Sequence, residues 1–193
     1  MSGNQLNNEI ELIDRARKGS VDAFEQLVLI YQDRLYRFLL VRAASRADAE
    51  DALQEAFVAA FRYLSSYRKQ YRFSTWLFTI AVRQLGRLKQ STMDIEPLPD
   101  SIISDELGPQ QLGIQTEHRQ SLWQTARAHL GDAQFTALWL FYVEDMPIAE
   151  IGIAMKRPVS WVKVNLMRAR QRLSQALQDT NFEHSATRGE VTV

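Results

Sequence analysis

All the charged side chains of one stretch near the carboxyl end of this 193-residue chain are cationic. The cations of this stretch are Lys163, Arg168, Arg170 and Arg172. No acidic residue occurs between Glu150 and Asp179. Guanidinium and ammonium groups donate hydrogen bonds to phosphate oxygens, and arginine can also pair with two acceptors on a guanine edge. The stretch therefore offers chemistry for recognising a nucleic acid. The alternative is an ordinary helical hairpin with a solvated basic face.

Two short helical patterns separated by a tight break position these cations. Ile148, Ile151 and Ala154 recur at helical spacing before the break. The break falls at residues 156–158, because Pro158 disfavours helix at the residue before it. One apolar stripe follows at steps of three and four, formed by Val159, Val162, Leu166, Ala169, Leu173 and Leu177. A short helix, a turn and a basic second helix are typical of a helix-turn-helix that reads a major groove.

Charge is sorted along the chain, although Lys plus Arg and Asp plus Glu both number 23 and the formal net charge is +0. Residues 56–93 carry only basic charges, and residues 94–117 carry only acidic ones. Contact with phosphate depends on local charge, so a net charge of zero does not exclude nucleic-acid binding. The acidic segment is also rich in Pro and Gly, which favours a linker over a helix. We expect domains at 1–91 and 117–179, a flexible linker at 92–116, and a flexible tail at 180–193.

The amino-terminal half shows four amphipathic helical patterns, and Ser45 is expected to cap the third. The fold class expected for the whole chain is all-α, with two small helical domains joined by the linker and the helix-turn-helix in the second. The first turns of the third helix carry the acids Asp48, Asp51 and Glu55, with the neutral Gln54 among them. These acids can stabilise the positive end of the helix dipole, or they can form a surface that docks on a basic protein partner.

Aromatic and basic residues alternate between the third and fourth helices. The segment contains Tyr67, Arg68, Tyr71, Arg72 and Phe73. Aromatic rings stack on unpaired bases and cations neutralise phosphates, so this composition suits single-stranded nucleic acid. The alternative is a connector whose rings pack into the core and whose cations are solvated.

Three motifs in order now point to a family. DAEDALQEAFVAAFRYLSSYR, FSTWLFTIAVRQLGRL and the helix-turn-helix together resemble the extracytoplasmic-function sigma factors of bacterial RNA polymerase. The resemblance extends from about Ala23 to Leu177. It implies two partners, core RNA polymerase and promoter DNA, and typically an anti-sigma factor as a third.

The resemblance also implies roles for particular residues. Asp48, Asp51, Gln54 and Glu55 match the surface for the polymerase clamp helices. The element that captures and melts the −10 region corresponds to Tyr67, Arg68, Tyr71, Arg72, Phe73, Arg83 and Arg87. The reader of the −35 duplex corresponds to Arg157, Ser160, Lys163, Val164, Met167 and Arg168. The linker matches a connector that threads near the polymerase active centre.

This chain departs from the family pattern at several of these positions. Arg83 stands where the family usually has Asn, and Arg favours guanine or phosphate where Asn reads a base edge. Val164-Asn165 replaces a common Ser-Arg, and Ser160-Trp161 replaces Gly-Thr. These replacements reduce the expected phosphate contacts and point to an unusual −35 sequence.

Other function classes find little support in the residues. The chain has no cysteine and its three histidines are widely separated, so we expect no catalytic residue, metal or cofactor. No apolar run suits a signal peptide or membrane insertion, and we expect a cytoplasmic protein. Two alternatives to a sigma factor remain open: a free-standing helix-turn-helix regulator, and a sigma-like decoy that binds an inhibitor.

Overall fold

The computed structural model describes the backbone of residues 3–91 and 115–188, and the side chains of residues 8–87 and 122–178. All regular elements in these ranges are helical, which confirms the all-α fold class. The chain divides into two compact units, Met1–Ile102 and Ile103–Val193. The division falls inside the predicted linker, most of which lies outside the described residues. None of the helices in the described part has the length and apolar composition needed to cross a membrane.

The first unit contains four helices and one turn of 3₁₀ helix. They are α1 (Gly3–Arg17), α2 (Val21–Leu40), α3 (Arg46–Tyr63), the 3₁₀ turn (Leu64–Ser66) and α4 (Phe73–Ser91). Ser20 and Ser45 cap α2 and α3, since their side-chain oxygens accept from the backbone N–H of Ala23 and Asp48. The prediction that Ser45 caps the third helix is therefore confirmed.

Small residues let α3 approach its neighbours closely in the core of this unit. The buried positions of α3 are Ala49, Ala52, Ala56 and Ala60, at steps of three and four. α3 packs against α2 on one side and α4 on the other. Large side chains fill the space between α2 and α4, where the rings of Phe38 and Phe78 meet with centroids 5.3 Å apart. Tyr31, also on α2, is buried, and its hydroxyl donates to the Glu9 carboxylate. Burial, together with the charge of that carboxylate, raises the pKa of the Tyr31 hydroxyl.

The second unit also has four helices. They are α5 (Gln115–His129), α6 (Asp132–Tyr142), α7 (Ile148–Met155) and α8 (Val159–Arg188). All residues from Phe135 to Leu140 are buried, so α6 is covered on every side. α8 packs against α5, α6 and α7 through the predicted stripe, of which Val162, Leu166 and Ala169 are fully buried.

A Schellman turn joins the two helices of the helix-turn-helix. The Arg157 N–H donates to Gly152 O at 2.8 Å, and the Lys156 N–H donates to Ile153 O at 3.2 Å. Lys156 takes the left-handed conformation that glycine adopts most cheaply, with φ 53°. The turn is so tight that a Cβ atom on Gly152 would lie 2.8 Å from Arg157 O. Glycine at 152 is therefore required by the turn.

Two helix boundaries in the second unit differ from the sequence-based expectation. α5 begins at Gln115, inside the segment assigned to the linker. α8 continues to Arg188, beyond Thr180 where the tail was expected to start, because no glycine or proline interrupts the sequence before Gly189.

Candidate nucleic-acid interface

The acidic residues of α3 form one exposed stripe that continues into apolar residues. Asp51, Gln54 and Glu55 are exposed, and Asp48 is half-buried at the capped end of the helix. Val58, one turn beyond, is 50% exposed and lies on the same side. The stripe therefore combines carboxylates with an apolar contact surface, which a helix that only offset its own dipole would not need.

The loop between α3 and α4 is folded back onto the first unit. Tyr67 and Phe73 are only 5% and 3% exposed, and their rings meet edge to face at 5.4 Å. The Tyr67 hydroxyl donates to Tyr71 O at 2.8 Å, which closes the loop on itself. Two of the three rings expected to line a strand-binding loop thus pack in the core, as in the alternative left open by the sequence. Tyr71 is half-buried.

Charged side chains fasten the same loop to α1. Lys69 Nζ lies 2.7 Å from a carboxylate oxygen of Asp14. The hydrogen bond from Lys69 lowers the pKa of Asp14 below its usual value. Arg68 and Arg72, which flank this pair in the sequence, have exposed side chains. The loop therefore exposes cations to solvent, while the Tyr67–Tyr71 hydrogen bond and the Lys69–Asp14 pair hold it in place.

Trp76, near the start of α4, is a candidate contact residue that is not among the site residues predicted from the sequence. It is only half-buried, and its ring packs on those of Tyr67 and Phe73 at 5.6 and 5.4 Å. Steps of three and four place Trp76 on the same side of α4 as Arg83 and Arg87, which are exposed. The sequence shows an aromatic residue followed by two cations along one side of the helix. This pattern is hard to recognise because Trp76 also fits the apolar periodicity of α4.

The six residues expected to read duplex DNA share one exposed region. Lys163, Val164, Met167 and Arg168 are all exposed on α8, on the side opposite the buried stripe, and Ser160 lies one turn before them. Arg157 is exposed in the turn that leads into the helix. Val164 and Met167 are 40% and 49% exposed, so two apolar groups sit between the cations. The structure therefore brings five of the six residues to one exposed side of α8 and leaves Arg157 exposed in the turn directly before it.

The other cations of α8 are used within the second unit. Arg170 Nε donates to the Tyr142 hydroxyl at 2.8 Å, and its guanidinium lies over the Phe141 ring. Arg172 donates to Gln134 Oε1 at 3.1 Å. Both partners belong to α6, so these two arginines hold the helices together. The basic stretch noticed in the sequence thus divides into packing and outward-facing cations.

Trp161 is a second candidate contact residue that is not among the site residues predicted from the sequence. The Arg157 guanidinium carbon lies 5.2 Å from the centre of the Trp161 ring. Trp161 is half-buried and lies at the border of the outward side of α8. The Asn165 side-chain amide donates to Trp161 O at 2.9 Å, which turns it back on its own helix. An arginine four residues before an aromatic residue at a helix start was the available signal.

Comparisons with known proteins agree with both units. The family model for Sigma-70 region 2 matches residues 27–91, and that for Sigma-70 region 4 matches residues 122–173. The ECF RNA polymerase sigma factor SigW of Bacillus subtilis is 29% identical, over 86% of this chain and 95% of that protein. The ECF RNA polymerase sigma-E factor of Escherichia coli is 29% identical, over 90% of this chain and 96% of that protein.

A solved structure shares the fold. It is the sigma factor RpoE from Bartonella quintana, in complex with the anti-sigma factor NepR, with a TM-score of 0.61 and 22% identity. The match covers 82% of this chain and 98% of that one. The helical fold described above is therefore also found in a solved sigma-factor structure.

Proposed function

Because this chain belongs to the extracytoplasmic-function sigma factors of the sigma-70 family, we propose a division of labour among its surfaces in promoter-specific initiation. Sigma factors start transcription without catalysing a reaction themselves, and we assign this chain no catalytic residue, metal or cofactor. The observation that carries the proposal is the exposed side of α8, where five of the six predicted DNA-reading residues lie opposite the buried stripe, while the sixth, Arg157, is exposed in the turn before the helix. A free-standing regulator is not favoured, because it does not account for the region 2 unit.

We assign core polymerase binding to the exposed stripe of α3. The carboxylates of Asp51 and Glu55 attract a basic partner over a distance of several ångströms. Exposed charges of this kind mainly raise the rate and specificity of association. Val58 adds apolar area, which contributes affinity when water is removed from it. Charge and apolar area on one stripe fit a protein partner better than a nucleic acid, which would be repelled by the carboxylates.

Charge reversal tests this assignment. D51K/E55K should abolish co-migration of the chain with sigma-free core RNA polymerase on a sizing column. The matched control is E25K/D33K, which reverses two exposed carboxylates on α2 of the same unit. Loss in the first variant and retention in the second support the α3 surface. Equal behaviour of the two variants would remove the assignment, and absence of binding by the folded wild-type chain would contradict a polymerase role altogether.

We assign capture of the melted −10 strand to the outward side of α4 and the loop before it. Arg68, Arg72, Arg83 and Arg87 are exposed and can neutralise phosphates, and Tyr71 is half-buried within the loop. Trp76 offers the accessible ring face for a base, while Tyr67 and Phe73 support it from behind. Arg83 in place of the family's usual Asn favours guanine or a phosphate at its position.

An assay of promoter opening distinguishes the role of Trp76 from that of the rings of Tyr67 and Phe73, which only support it. Trp76→Ala should leave −35 duplex binding by the holoenzyme unchanged and reduce the permanganate reactivity of unpaired thymines at the −10 region. Trp76→Tyr keeps a stacking ring and should restore most of that reactivity. If the alanine variant opens promoters normally, Trp76 belongs to the core alone.

We assign −35 recognition to the exposed side of α8. Arg168→Ala should weaken duplex binding by about 1–3 kcal/mol if the guanidinium reads a base edge. Arg172→Ala is the matched control, because Arg172 donates to Gln134 on α6. A loss that is equal for specific and unrelated duplexes would make Arg168 a phosphate contact. Equal losses for the two variants would contradict the assignment of the exposed side.

Val164 and Met167 extend the reading to apolar contacts. Neither side chain can hydrogen-bond a base edge, whereas both can pack against the methyl group of thymine. Replacing thymine by uracil in the −35 duplex removes only that methyl group, and should weaken binding of the wild-type holoenzyme but not of a V164A/M167A variant. Wild-type binding that ignores the replacement would overturn the thymine contact while leaving the arginine contacts in place.

Regulation and location follow from the family. The Bartonella quintana sigma factor of similar fold was solved with an anti-sigma factor, and we propose that an anti-sigma factor also silences this chain by occupying the surfaces assigned above. Since polymerase and promoter are its targets, we propose that the chain works in the cytoplasm. Pull-down with the chain as bait, repeated with D51K/E55K, would reveal whether such an inhibitor competes for the α3 stripe.

A further inference from the structure

The stacked pair of Arg157 and Trp161 stands out at the start of α8. Arg157 belongs to the turn of the helix-turn-helix, and its backbone N–H is held by Gly152 O at 2.8 Å. Its side chain is exposed, yet its guanidinium lies 5.2 Å from the Trp161 ring centre. A long arginine side chain that projects into water would otherwise sample many rotamers. Both the backbone and the far end of this residue are therefore fixed.

The contact with Trp161 leaves the hydrogen-bond donors of the guanidinium available. A cation–π contact is an attraction between the charge and the ring face, and it uses none of the five N–H donors of an arginine. Those donors match the geometry of phosphate oxygens. Trp161 lies at the border of the exposed side of α8 that carries Val164 and Arg168. The guanidinium over its ring therefore lies next to the proposed DNA-reading side.

We propose that Trp161 is a positioning residue, which holds Arg157 ready for a DNA phosphate beside the −35 element. This inference rests on the proposed −35 function and goes beyond it by naming a residue that acts through another. It also explains how the chain replaces phosphate contacts that its departures from the family remove. Asn165 is turned back onto Trp161 O and Val164 has no donor, so neither can contact a phosphate from its present position.

A double-mutant cycle in the holoenzyme tests the pair. The probe is the −35 duplex that wild-type holoenzyme selects from a randomised library, and affinity is measured across a series of salt concentrations. Arg157→Ala should weaken binding several-fold and lower the slope of log affinity against log salt by about one. Trp161→Ala should produce a similar loss, and the R157A/W161A variant should lose little more than either single variant.

Two further variants separate positioning from packing. Trp161→Phe keeps an aromatic face and should retain most of the affinity. Trp161→Leu keeps an apolar side chain but no ring, and should behave like Trp161→Ala in the salt series while α8 keeps its hydrogen-exchange protection. Additive losses in the double variant, or an unchanged salt slope in Trp161→Leu, would overturn the positioning role.

The same experiment distinguishes failure of the positioning role from failure of the proposed −35 function on which it rests. If wild-type holoenzyme selects no −35 sequence, the proposed −35 function fails and the role of Trp161 fails with it. If selection succeeds and the Trp161 variants lose affinity independently of Arg157, only the positioning role is overturned.

Discussion

Two helical glycines should respond in opposite ways to the same added methyl group. Gly152 lies in α7 and Gly86 in α4. A Cβ on Gly152 would lie 2.8 Å from Arg157 O, which belongs to the backbone and cannot swing aside. A Cβ on Gly86 would meet nothing within 4 Å. Because both positions are helical, alanine gains about 1 kcal/mol of helix propensity at each. The difference between the two variants therefore isolates the close approach in the turn.

The expected sizes follow from that contact. At Gly152 the overlap costs about 1–3 kcal/mol, as for overpacking. Moving the Arg157 carbonyl also strains the 2.8 Å hydrogen bond from the Arg157 N–H, and such a bond contributes about 0.5–1.5 kcal/mol. Subtracting the propensity gain of about 1 kcal/mol leaves a net destabilisation of about 0.5–3.5 kcal/mol for Gly152→Ala. Gly86→Ala should stabilise its unit by about 0.5–1 kcal/mol.

Hydrogen exchange read peptide by peptide is the suitable assay, since the chain has two units and a single unfolding transition need not describe both. In Gly152→Ala, peptides from α7 and α8 should lose protection while those of α4 are unchanged, and −35 duplex binding should weaken. In Gly86→Ala, only α4 peptides should gain protection. Wild-type protection of α7 and α8 in Gly152→Ala would refute the argument that the turn requires glycine.

Four further predictions rest on local contacts. Lys156→Gly should stabilise the second unit by up to about 1 kcal/mol, seen as greater protection of α7, because glycine adopts the left-handed conformation at φ 53° more cheaply. Tyr67→Phe removes the 2.8 Å hydrogen bond to Tyr71 O, and should loosen the loop by about 0.5–1.5 kcal/mol without unfolding α4. The Asp14–Lys69 pair contributes stability to the loop above the ordinary carboxyl pKa of 3.8, and this stability is lost as pH falls through the lower folded pKa of Asp14. Hydrogen-exchange protection of the loop should therefore decline in that pH range in the wild type but not in Lys69→Ala. If the three cations assigned to the −35 site, Arg157, Lys163 and Arg168, each neutralise one phosphate, the salt slope for −35 duplex binding should be about −2 to −3. A slope near −5 would mean that further cations of the second unit also reach phosphates.

The helical framework was predictable because its signals are local and periodic. The stripe that contains Val162, Leu166 and Ala169 repeats at steps of three and four, and the structure buries all three. Ser45 precedes an apolar period and caps α3 as expected. The turn at Lys156 was expected where the following proline interrupts helix. Each of these inferences needs only the residues within one or two helical turns.

The contacts that decide function at the candidate site were harder to predict. Tyr67 and Phe73 have the same composition signal as rings that stack on bases, and only tertiary packing places them in the core. Trp76 has the spacing of a buried residue, yet the end of α4 leaves part of its ring accessible. The need for glycine at 152 arises from a carbonyl five residues away, brought close by the turn. Periodicity does not report any of these approaches.

The division of cations on α8 bears on how the chain finds a promoter. Arg170 and Arg172 are engaged with α6. Among the described side chains, this leaves Lys163 and Arg168 exposed on α8, and Lys156 and Arg157 exposed in the turn before it. Each neutralised phosphate contributes a salt-dependent increment, so a few contacts support only weak binding at physiological ionic strength. If α3 binds polymerase as we propose, the bound chain meets the −35 duplex at a raised effective concentration, and this compensates for the small number of contacts. The proposed division of labour therefore predicts an order, in which the α3 carboxylates join the chain to polymerase first and the outward cations suffice for −35 binding only within that assembly.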